Sequence, residues 1–364
     1  MIKQTINTLL LKGETFAVWA KQGEKAQMMV AKPHEISFLQ DDLELDEMQG
    51  FIFAPFQRSE TCPLVILHGK HLKSEAEIAA FQPTALQAFA EKQQVRRKPF
   101  IINQTQYEDD VKEVVSELNK GNMSKLVLSR IHEQRRGADV GQIFQSLRHE
   151  NPRAMVYVVS IPKVGTWIGA TPEILLQSKG DNFETMSLAG TQAKQDDGDY
   201  RWRTKEIEEQ AFVSRYLLEA FHDLNIHPYL TQGPDTLESG TVAHLRTNFQ
   251  FERKLLNGKL SQFLKRVHPT PAVCGLPKAD AMNYISKIEK HKRRYYTGYL
   301  GTWQMEGETN LFVNLRCMEL VGNQCLIYVG GGITSRSIAI EEWEETEKKA
   351  RVLTPLLVQV EEKD

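Results

Sequence analysis

The chain has 364 residues, of which 41% are hydrophobic and 25% are charged, and its formal net charge is −2. This apolar content supports a large buried core, and the near-neutral charge argues against nucleic-acid binding, which normally shows a basic excess. Length alone favours two domains, although a large mixed sheet can form one unit. Four scattered cysteines without CxxC spacing argue against a zinc site and suit free thiols in a reducing cytosol.

The N-terminal apolar run is too short for a signal peptide, and no window approaches the length of a membrane span. We therefore expect a cytoplasmic protein. No long apolar surface helix stands out, so we expect a monomer.

The first hundred residues alternate short β-like runs with polar turns. The predicted strands are Phe16–Ala20, Ala26–Ala31, Gly50–Phe56 and Leu64–Leu67. A polar stretch from His71 to Pro99 follows, in which hydrophobic residues recur, and it predicts a connecting helix with a loop. No internal repeat is present.

Helices and strands then alternate from Gln104 onwards. Thr105 to Glu108 predicts a capping box, and Gly121 ends the helix that follows. The next predicted segments are a strand Lys125–Ile131, a helix Val140–Arg148, a strand Ala154–Ile161, an extended segment Thr166–Gln177, a long amphipathic helix Arg203–Leu224, strands around Val242–Phe251, and helices Leu260–Val267 and Ala279–His291.

The C-terminal part predicts a β-meander followed by a helix. Hairpin strands mixed with long helices indicate an α+β fold, and the absence of GxGxxG and GxxxxGK[ST] motifs removes the main support for a nucleotide-binding fold. The predicted segments are strands Tyr299–Met305, Asn310–Leu320 and Cys325–Gly330, turns Glu306-Gly307 and Gly322-Asn323, and a helix from Ile340 to about Val360, bent at Pro355.

Carboxylates on two helices are candidate metal ligands. Glu342, Glu345 and Lys349 share one face of the last helix, at the boundary of the core. Taken alone, Glu345 and Lys349 fit a solvated ion pair, and the segment around Glu209 fits a helix surface. Two carboxylates with few other protein ligands would instead suit Mg²⁺, which keeps waters and accepts substrate oxygens.

Four further residues are candidates for chemistry, each with an ordinary alternative. Lys125 opens a strand; a desolvated lysine near other cations can serve as a general base, but an edge-strand lysine also limits aggregation. Glu173 follows a proline and is either a protonated general acid or an exposed turn residue. His244 is a hydrogen-bond donor or a core histidine. Arg316, in an apolar strand, requires a carboxylate partner from the protein or a ligand.

Two backbone features could present groups to a ligand. Glycines 330–332 end a strand, where they allow close approach of a ligand or cradle an anion, although a bulge or tight turn explains them equally well. The segment His268–Gly275 is a rigid, proline-braced loop.

In combination and order, these segments resemble successive motifs of the chorismate-utilising enzymes. That family includes isochorismate synthase, salicylate synthase, anthranilate synthase component I and aminodeoxychorismate synthase component I. The resemblance covers about Gln104 to Val360. The motifs are KLVLSR, GATPEILL, SLAGT, HLRT, HPTPAVCGLP, RRYYTGYLG, NLRC, VGGGI and EEWEETEKK.

The resemblance implies one large α+β domain over residues 1–364, with two packed β-sheets flanked by helices, and this replaces the two-domain expectation. Residues 1–103 would form an N-terminal β-rich part, and residues 104–360 would carry the catalytic motifs.

The resemblance also implies a ligand set, because members bind chorismate through Mg²⁺. Glu209 and Glu345 would be the metal ligands, with Glu342 in support. The implied substrate contacts are Arg316, the Gly330 N–H and Tyr296 at the enolpyruvyl carboxylate, Lys349 near the bound carboxylate and metal, and His244, Ala272 and Val273 along the ring.

Within the family, Lys125 indicates the reaction. Members that add water at C2 carry lysine in this motif as the base, whereas ammonia-using members typically carry glutamine. Glu173 would be the acid that assists departure of the C4 hydroxyl. Ala189 in SLAGT differs from the lysine of aminodeoxychorismate synthases. The HPTPAVCG loop favours isochorismate synthase, of the menaquinone or siderophore type, over the alternative of a salicylate synthase.

One position departs from the family pattern. The usual Glu-His pair on the magnesium helix reads Glu209-Gln210 here, so Glu208 and Glu206 are alternative ligands at that point. A non-catalytic chorismate-binding subunit is a further alternative, but such a protein would have no need of the Lys125–Glu173 acid/base pair.

Overall fold

The computed structural model describes residues 2–83, 99–195, 197–239 and 242–358. These residues form eight α-helices and eighteen β-strands. The helices are α1 (Ile2–Leu11), α2 (Glu75–Ala80), α3 (Gln104–Leu118), α4 (Val140–Glu150), α5 (Thr204–Asp223), α6 (Leu260–Val267), α7 (Lys278–Ile288) and α8 (Ala339–Ala350). No described helix has the length and apolar character needed to cross a membrane.

The strands form two sheets of nine strands each. They are β1 (Thr15–Ala20), β2 (Gln27–Ala31), β3 (Ile36–Leu39), β4 (Gly50–Ala54), β5 (Leu64–Leu67), β6 (Lys70–Leu72), β7 (Lys125–Arg135), β8 (Met155–Ile161), β9 (Gly165–Thr171), β10 (Ile174–Lys179), β11 (Asn182–Ala193), β12 (Tyr229–Ser239), β13 (Val242–Glu252), β14 (Gly275–Leu276), β15 (Tyr299–Met305), β16 (Glu308–Val313), β17 (Cys317–Val321) and β18 (Gln324–Ile333).

The first sheet has the strand order β14-β7-β18-β17-β9-β8-β1-β2-β6, and the second has the order β12-β13-β11-β10-β16-β15-β4-β5-β3. Their inner faces share an aromatic-rich core, in which Phe53 of the second sheet stacks on Tyr295 with ring centroids 4.3 Å apart. The outer face of the first sheet packs against α1 and α4, and that of the second against α5 and α6. The predicted single α+β domain with two packed sheets is confirmed.

Most predicted elements are present, but the capping box of α3 was placed two residues too late. The helix starts at Gln104, and its cap is Asn103, whose side chain accepts a hydrogen bond from the Gln106 N–H at 2.9 Å. In turn, the Gln106 Oε1 accepts a hydrogen bond from the Asn103 N–H at 3.0 Å. Asparagine caps a helix as well as threonine does, so the spacing alone did not distinguish the two registers.

The predicted meander near the C-terminus is wrong. Strand β16 pairs with β15 and β10 in the second sheet, whereas β17 pairs with β18 and β9 in the first. The predicted strand Asn310–Leu320 is therefore two strands that belong to different sheets. The break lies at Arg316, whose φ of 48° is incompatible with a continuous strand.

Two other helix predictions need correction. The last helix ends at Ala350 and a short 3₁₀ turn follows at Thr354–Leu357, so Pro355 does not bend it; its predicted end at Val360 lies outside the described residues. Of the stretch His71–Pro99, Glu75–Ala80 is helical, while residues 84–98 lie outside the described ranges.

Two of the points at which the chain crosses between the sheets are neighbours in space. Pro172 and Glu173 lead from β9 into β10, and the crossing at Arg316 leads from β16 into β17. The two crossings are held together by backbone hydrogen bonds, from the Val313 N–H to the Glu173 carbonyl at 2.9 Å and from the Ala170 N–H to the Arg316 carbonyl at 3.2 Å. The crossings therefore position the side chains of Glu173 and Arg316 at the edge of the core between the sheets.

Candidate active site

A cavity opens where these crossings meet the ends of β7, β11 and β18 and the helices α5 and α8. Eleven of the twelve predicted site residues line the cavity: Lys125, Glu173, Glu209, His244, Ala272, Val273, Tyr296, Arg316, Gly330, Glu345 and Lys349. The remaining one, Glu342, does not line it, but its Oε2 lies 3.1 Å from the position that a Cβ on Gly331 would take.

Lys125 lies on an interior strand, so its interpretation as an edge-strand lysine is wrong. Strand β7 is flanked by β14 and β18, and Lys125 is 1% exposed. Its Nζ lies 3.5 Å from Glu209 Oε2 of α5. A Cβ on Gly332 would come within 2.8 Å of Lys125 Cε and 3.0 Å of Glu209 Oε2. Glycine is therefore required there to let the lysine and the carboxylate approach the strand.

Glu173 is buried, at 3% exposure, so its interpretation as an exposed turn residue is wrong. Burial raises the pKa of its carboxyl to about 8, although the positive charges of Lys125, Arg316 and Lys349 act to lower it. At neutral pH the carboxyl is therefore protonated and can donate a proton into the cavity. The crossing between the sheets fixes its position.

The sequence placed Arg316 within a strand, but it lies on the crossing from β16 to β17. Its Nη2 donates a hydrogen bond to His244 Nε2 at 2.7 Å. On the other side of the ring, His244 Nδ1 lies 3.0 Å from the Gly190 carbonyl. Burial, together with the charges of Arg316 and Lys349, lowers the pKa of His244 well below its usual value. The imidazole is therefore neutral, with its proton on Nδ1, and it orients the guanidinium.

The acidic face of α8 packs against the glycines of β18. Lys349 Nζ donates to the Gly330 carbonyl at 2.8 Å and to Glu345 Oε1 at 2.7 Å. Glu342 is 1% exposed, and burial together with the charge of Glu345 raises its pKa to about 7. Burial acts to raise the pKa of Glu345 as well, but Lys349 and Lys205 lower it overall. The ion pair between Glu345 and Lys349 is present, but both side chains are half-buried and line the cavity, so its interpretation as a solvated surface pair is wrong.

Helix α5 also buries polar residues that the sequence assigned to its surface. Glu206, Glu209 and Gln210 are all buried. Gln210 Nε2 donates to Ser187 Oγ at 2.8 Å and to Thr247 Oγ1 at 2.9 Å, which ties the helix to the second sheet. Glu206 binds Arg203 at the helix start. Of the three acidic residues considered for this helix, only Glu209 lines the cavity. The Glu208 side chain is 44% exposed and forms an ion pair with Arg336.

Comparison with known proteins identifies the family. The model for the family described as "Chorismate binding enzyme" matches residues 60–358. The chain belongs to the chorismate-binding enzyme family. The expected membership is thus confirmed.

Relatives within the family include isochorismate synthases. The vibriobactin-specific isochorismate synthase of Vibrio cholerae serotype O1 is 28% identical over 274 residues, and isochorismate synthase EntC of Escherichia coli K12 is 28% identical over 256 residues. Each alignment covers 68% of this chain and 65% of the relative, so the match spans about two-thirds of each relative's length.

Solved structures share the fold over nearly the whole chain. The protein DhbC of Bacillus anthracis has a TM-score of 0.76 and 22% identity, covering 97% of this chain and 99% of that one. MenF, the menaquinone-specific isochorismate synthase of Escherichia coli, has a TM-score of 0.73 and 18% identity, covering 94% and 88%.

Several residues that line this cavity were not predicted from sequence. Pro172, Leu315 and the segment 188–191 line the cavity beside the predicted residues. Lys205 was assigned to the surface, yet its Nζ lies 2.5 Å from Glu342 Oε1. Its position four residues before Glu209, on the same helix face, was the sequence feature that could have indicated it.

The carboxylates of α5 and α8 suit the magnesium ion that the family implies. Within the described ranges, no group of three or more His, Cys, Asp or Glu side chains is arranged to hold a metal ion. However, Glu342 Oε2 is buried without a hydrogen-bond partner, next to Glu345 Oε1 at the surface of Gly331. A buried acceptor oxygen with no donor, beside a second carboxylate, fits a hard cation that takes few protein ligands and keeps waters.

Proposed function

We propose that this protein is an isochorismate synthase, which converts chorismate reversibly to isochorismate with Mg²⁺. Water adds at C2 of the ring and the C4 hydroxyl departs. The observation that carries the proposal is the burial of Lys125 and Glu173 in the same cavity, where one side chain can accept a proton and the other can donate one. The relatives named as isochorismate synthases support it.

The reaction needs one proton acceptor and one proton donor. Lys125, acting as the neutral amine, accepts a proton from the attacking water as the water oxygen bonds to C2 and the ring double bonds shift. Glu173, protonated because its pKa is about 8, gives its proton to the C4 hydroxyl, which leaves as water. One water enters and one leaves, so the conversion is an isomerisation. Return of the proton from Lys125 to Glu173 restores the enzyme.

Chorismate carries two carboxylates, and the cavity offers cationic and hydrogen-bonding groups for both. The Arg316 guanidinium, the Gly330 N–H and the Tyr296 hydroxyl would hold the enolpyruvyl carboxylate. Burial raises the pKa of Tyr296, which keeps its hydroxyl protonated and able to donate. Lys349 would lie near the ring carboxylate. The ring would contact the wall that includes Val273.

The magnesium ion would be held by Glu209 and Glu345, with Glu342 in support. When bound, the ion supplies positive charge that neutralises a substrate carboxylate against these acidic side chains. Burial raises the pKa of Glu209, and the charge of Glu345 adds to this effect, whereas Lys125 opposes it. The like charges of the cluster therefore favour a cation.

The test is product identity after incubation of the purified protein with chorismate, with Mg²⁺ and with EDTA. We expect isochorismate in equilibrium with chorismate, and none with EDTA. Accumulation of salicylate and pyruvate alone would support the alternative of a salicylate synthase. Full conversion in EDTA would contradict the magnesium requirement. Sedimentation of the same sample tests the expected monomer, and cell fractionation tests the cytoplasmic location.

A further inference from the structure

A lysine ammonium lies among the carboxylates proposed to bind magnesium. Lys205 Nζ is 2.5 Å from Glu342 Oε1 and 3.9 Å from Glu209 Oε1. Its side chain is 17% exposed, and that of Glu342 is 1% exposed. The lysine precedes Glu209 by one helical turn of α5, so both project from the same helix face.

This ammonium compensates a concentrated negative charge. Burial acts to lower the pKa of Lys205, but the carboxylates Glu342, Glu345 and Glu209 raise it well above its usual value. Without a nearby cation, three buried or half-buried carboxylates would repel one another at short range. Only one oxygen of Glu342 bonds to the lysine, and its buried Oε2 has no partner.

We propose that Lys205 is an internal counter-ion that stabilises the metal-free carboxylate cluster and competes with Mg²⁺ for it. This inference rests on the proposed magnesium site and assigns that site a regulator within the chain. Two cations at this spacing repel each other, so the ion enters when the ammonium withdraws. An adjoining outer cavity, lined by Lys205, Lys348 and Glu345 among others, gives the ammonium a solvated place to move to.

The consequence is that substrate-free enzyme binds Mg²⁺ weakly. Removal of the lysine charge leaves the carboxylates uncompensated, which lowers the stability of the metal-free protein. The same change removes the repulsion that opposes the ion. The two effects together predict a protein whose stability depends on Mg²⁺ much more strongly than that of the wild type.

The test is thermal unfolding of the substrate-free protein, followed by tryptophan fluorescence during a MgCl₂ titration at constant ionic strength. In EDTA we expect Lys205→Met to unfold at a lower temperature than the wild type. Added MgCl₂ should raise its Tm with half-saturation at about tenfold lower concentration. Lys205→Gln is a second neutral variant, and Lys205→Arg, which keeps the charge, should resemble the wild type.

Lys348→Met is the matched control, because Lys348 is an exposed lysine that lines the same outer cavity from α8. It should leave the MgCl₂ response of the wild type unchanged. Equal half-saturation in the wild type and both neutral variants would overturn the counter-ion role alone, provided that isochorismate formation still requires Mg²⁺. If no variant responds to MgCl₂ and product forms in EDTA, the magnesium site itself is wrong and the inference falls with it.

Discussion

His244 accepts a hydrogen bond from Arg316 across 2.7 Å, and it can do so only as a neutral imidazole. The Gly190 carbonyl, 3.0 Å from Nδ1, fixes the proton on the opposite nitrogen. The hydrogen bond orients the guanidinium, and the neutral imidazole adds no negative charge beside it. A carboxylate in the place of the imidazole would orient Arg316 equally well, but it would compete with the carboxylate of a substrate.

This arrangement predicts the effect of substitutions at His244. We expect His244→Ala to raise KM for chorismate about tenfold through loss of the oriented guanidinium, with a smaller change in kcat. His244→Glu should raise KM further, because its carboxylate would pair with Arg316. Steady-state kinetics at saturating Mg²⁺ measure both. An unchanged KM in the two variants would show that Arg316 does not bind the substrate.

The raised pKa of Glu173 predicts a pH limit on activity. The carboxyl is protonated below about pH 8 and loses its proton above it, so kcat/KM should fall on the alkaline side with an apparent pKa near 8. Glu173→Gln cannot donate a proton to the C4 hydroxyl and should be inactive at every pH. A flat profile up to pH 10, or an active Glu173→Gln variant, would exclude Glu173 as the acid.

The same pKa has a consequence for stability. Because the folded pKa of about 8 lies above the ordinary value of 4.5, the folded protein holds a proton that the unfolded chain releases. The stabilising contribution is complete below about pH 4.5 and is lost as the pH rises through 8. Denaturant unfolding should therefore give a weaker pH dependence between 5 and 8 for Glu173→Gln than for the wild type.

Lys125 is the proposed base, and the resemblance to the family makes it the residue on which we expect the choice of reaction to depend. We expect Lys125→Gln to lower isochorismate formation by at least about a hundredfold, since the amide accepts no proton from water. Product formation is measured by chromatography after incubation with chorismate. Lys125→Arg is the control for charge, because its guanidinium places a positive charge beside Glu209 and does not act as a base. Activity in Lys125→Arg close to that of the wild type would rule out the role as base.

Local patterns predicted the elements well, but not how charged residues are distributed between surface and site. The strands Leu64–Leu67 and Tyr299–Met305 and the helix Leu260–Val267 have the predicted bounds. A strand break such as Arg316 depends on which sheet each half joins, which is a long-range property. Glu209 has the spacing of a surface residue, and its burial results from the fit of α5 onto the second sheet. The site residues could be predicted only from the order of the sequence motifs, because hydrophobic periodicity does not distinguish a surface carboxylate from one that lines a cavity.

A buried ion pair holds two walls of the cavity together. Arg293 binds both oxygens of Glu289, at 2.6 and 2.8 Å, and the two side chains are only 2% and 3% exposed. The same guanidinium donates to the Val127 carbonyl of β7 and to the Val273 carbonyl of the proline-braced loop, each at 2.7 Å. Val127 is two residues from Lys125, so the guanidinium fixes the strand that carries the proposed base.

Replacement of this guanidinium should therefore affect stability and catalysis together. We expect Arg293→Met to lower the free energy of unfolding by about 3–5 kcal/mol, because Glu289 would be left as an unpaired buried charge. The double variant Arg293→Met with Glu289→Gln should regain part of that loss, since no buried charge remains. Its kcat should stay low, because the Val127 and Val273 carbonyls still lack their common donor.

The control is Lys112→Met, which removes an exposed ion pair with Asp109 and should leave both the free energy of unfolding and kcat unchanged. Denaturant unfolding and kcat, measured on the same preparations, separate the two effects: recovery of kcat in parallel with stability would mean that the pair contributes to folding alone.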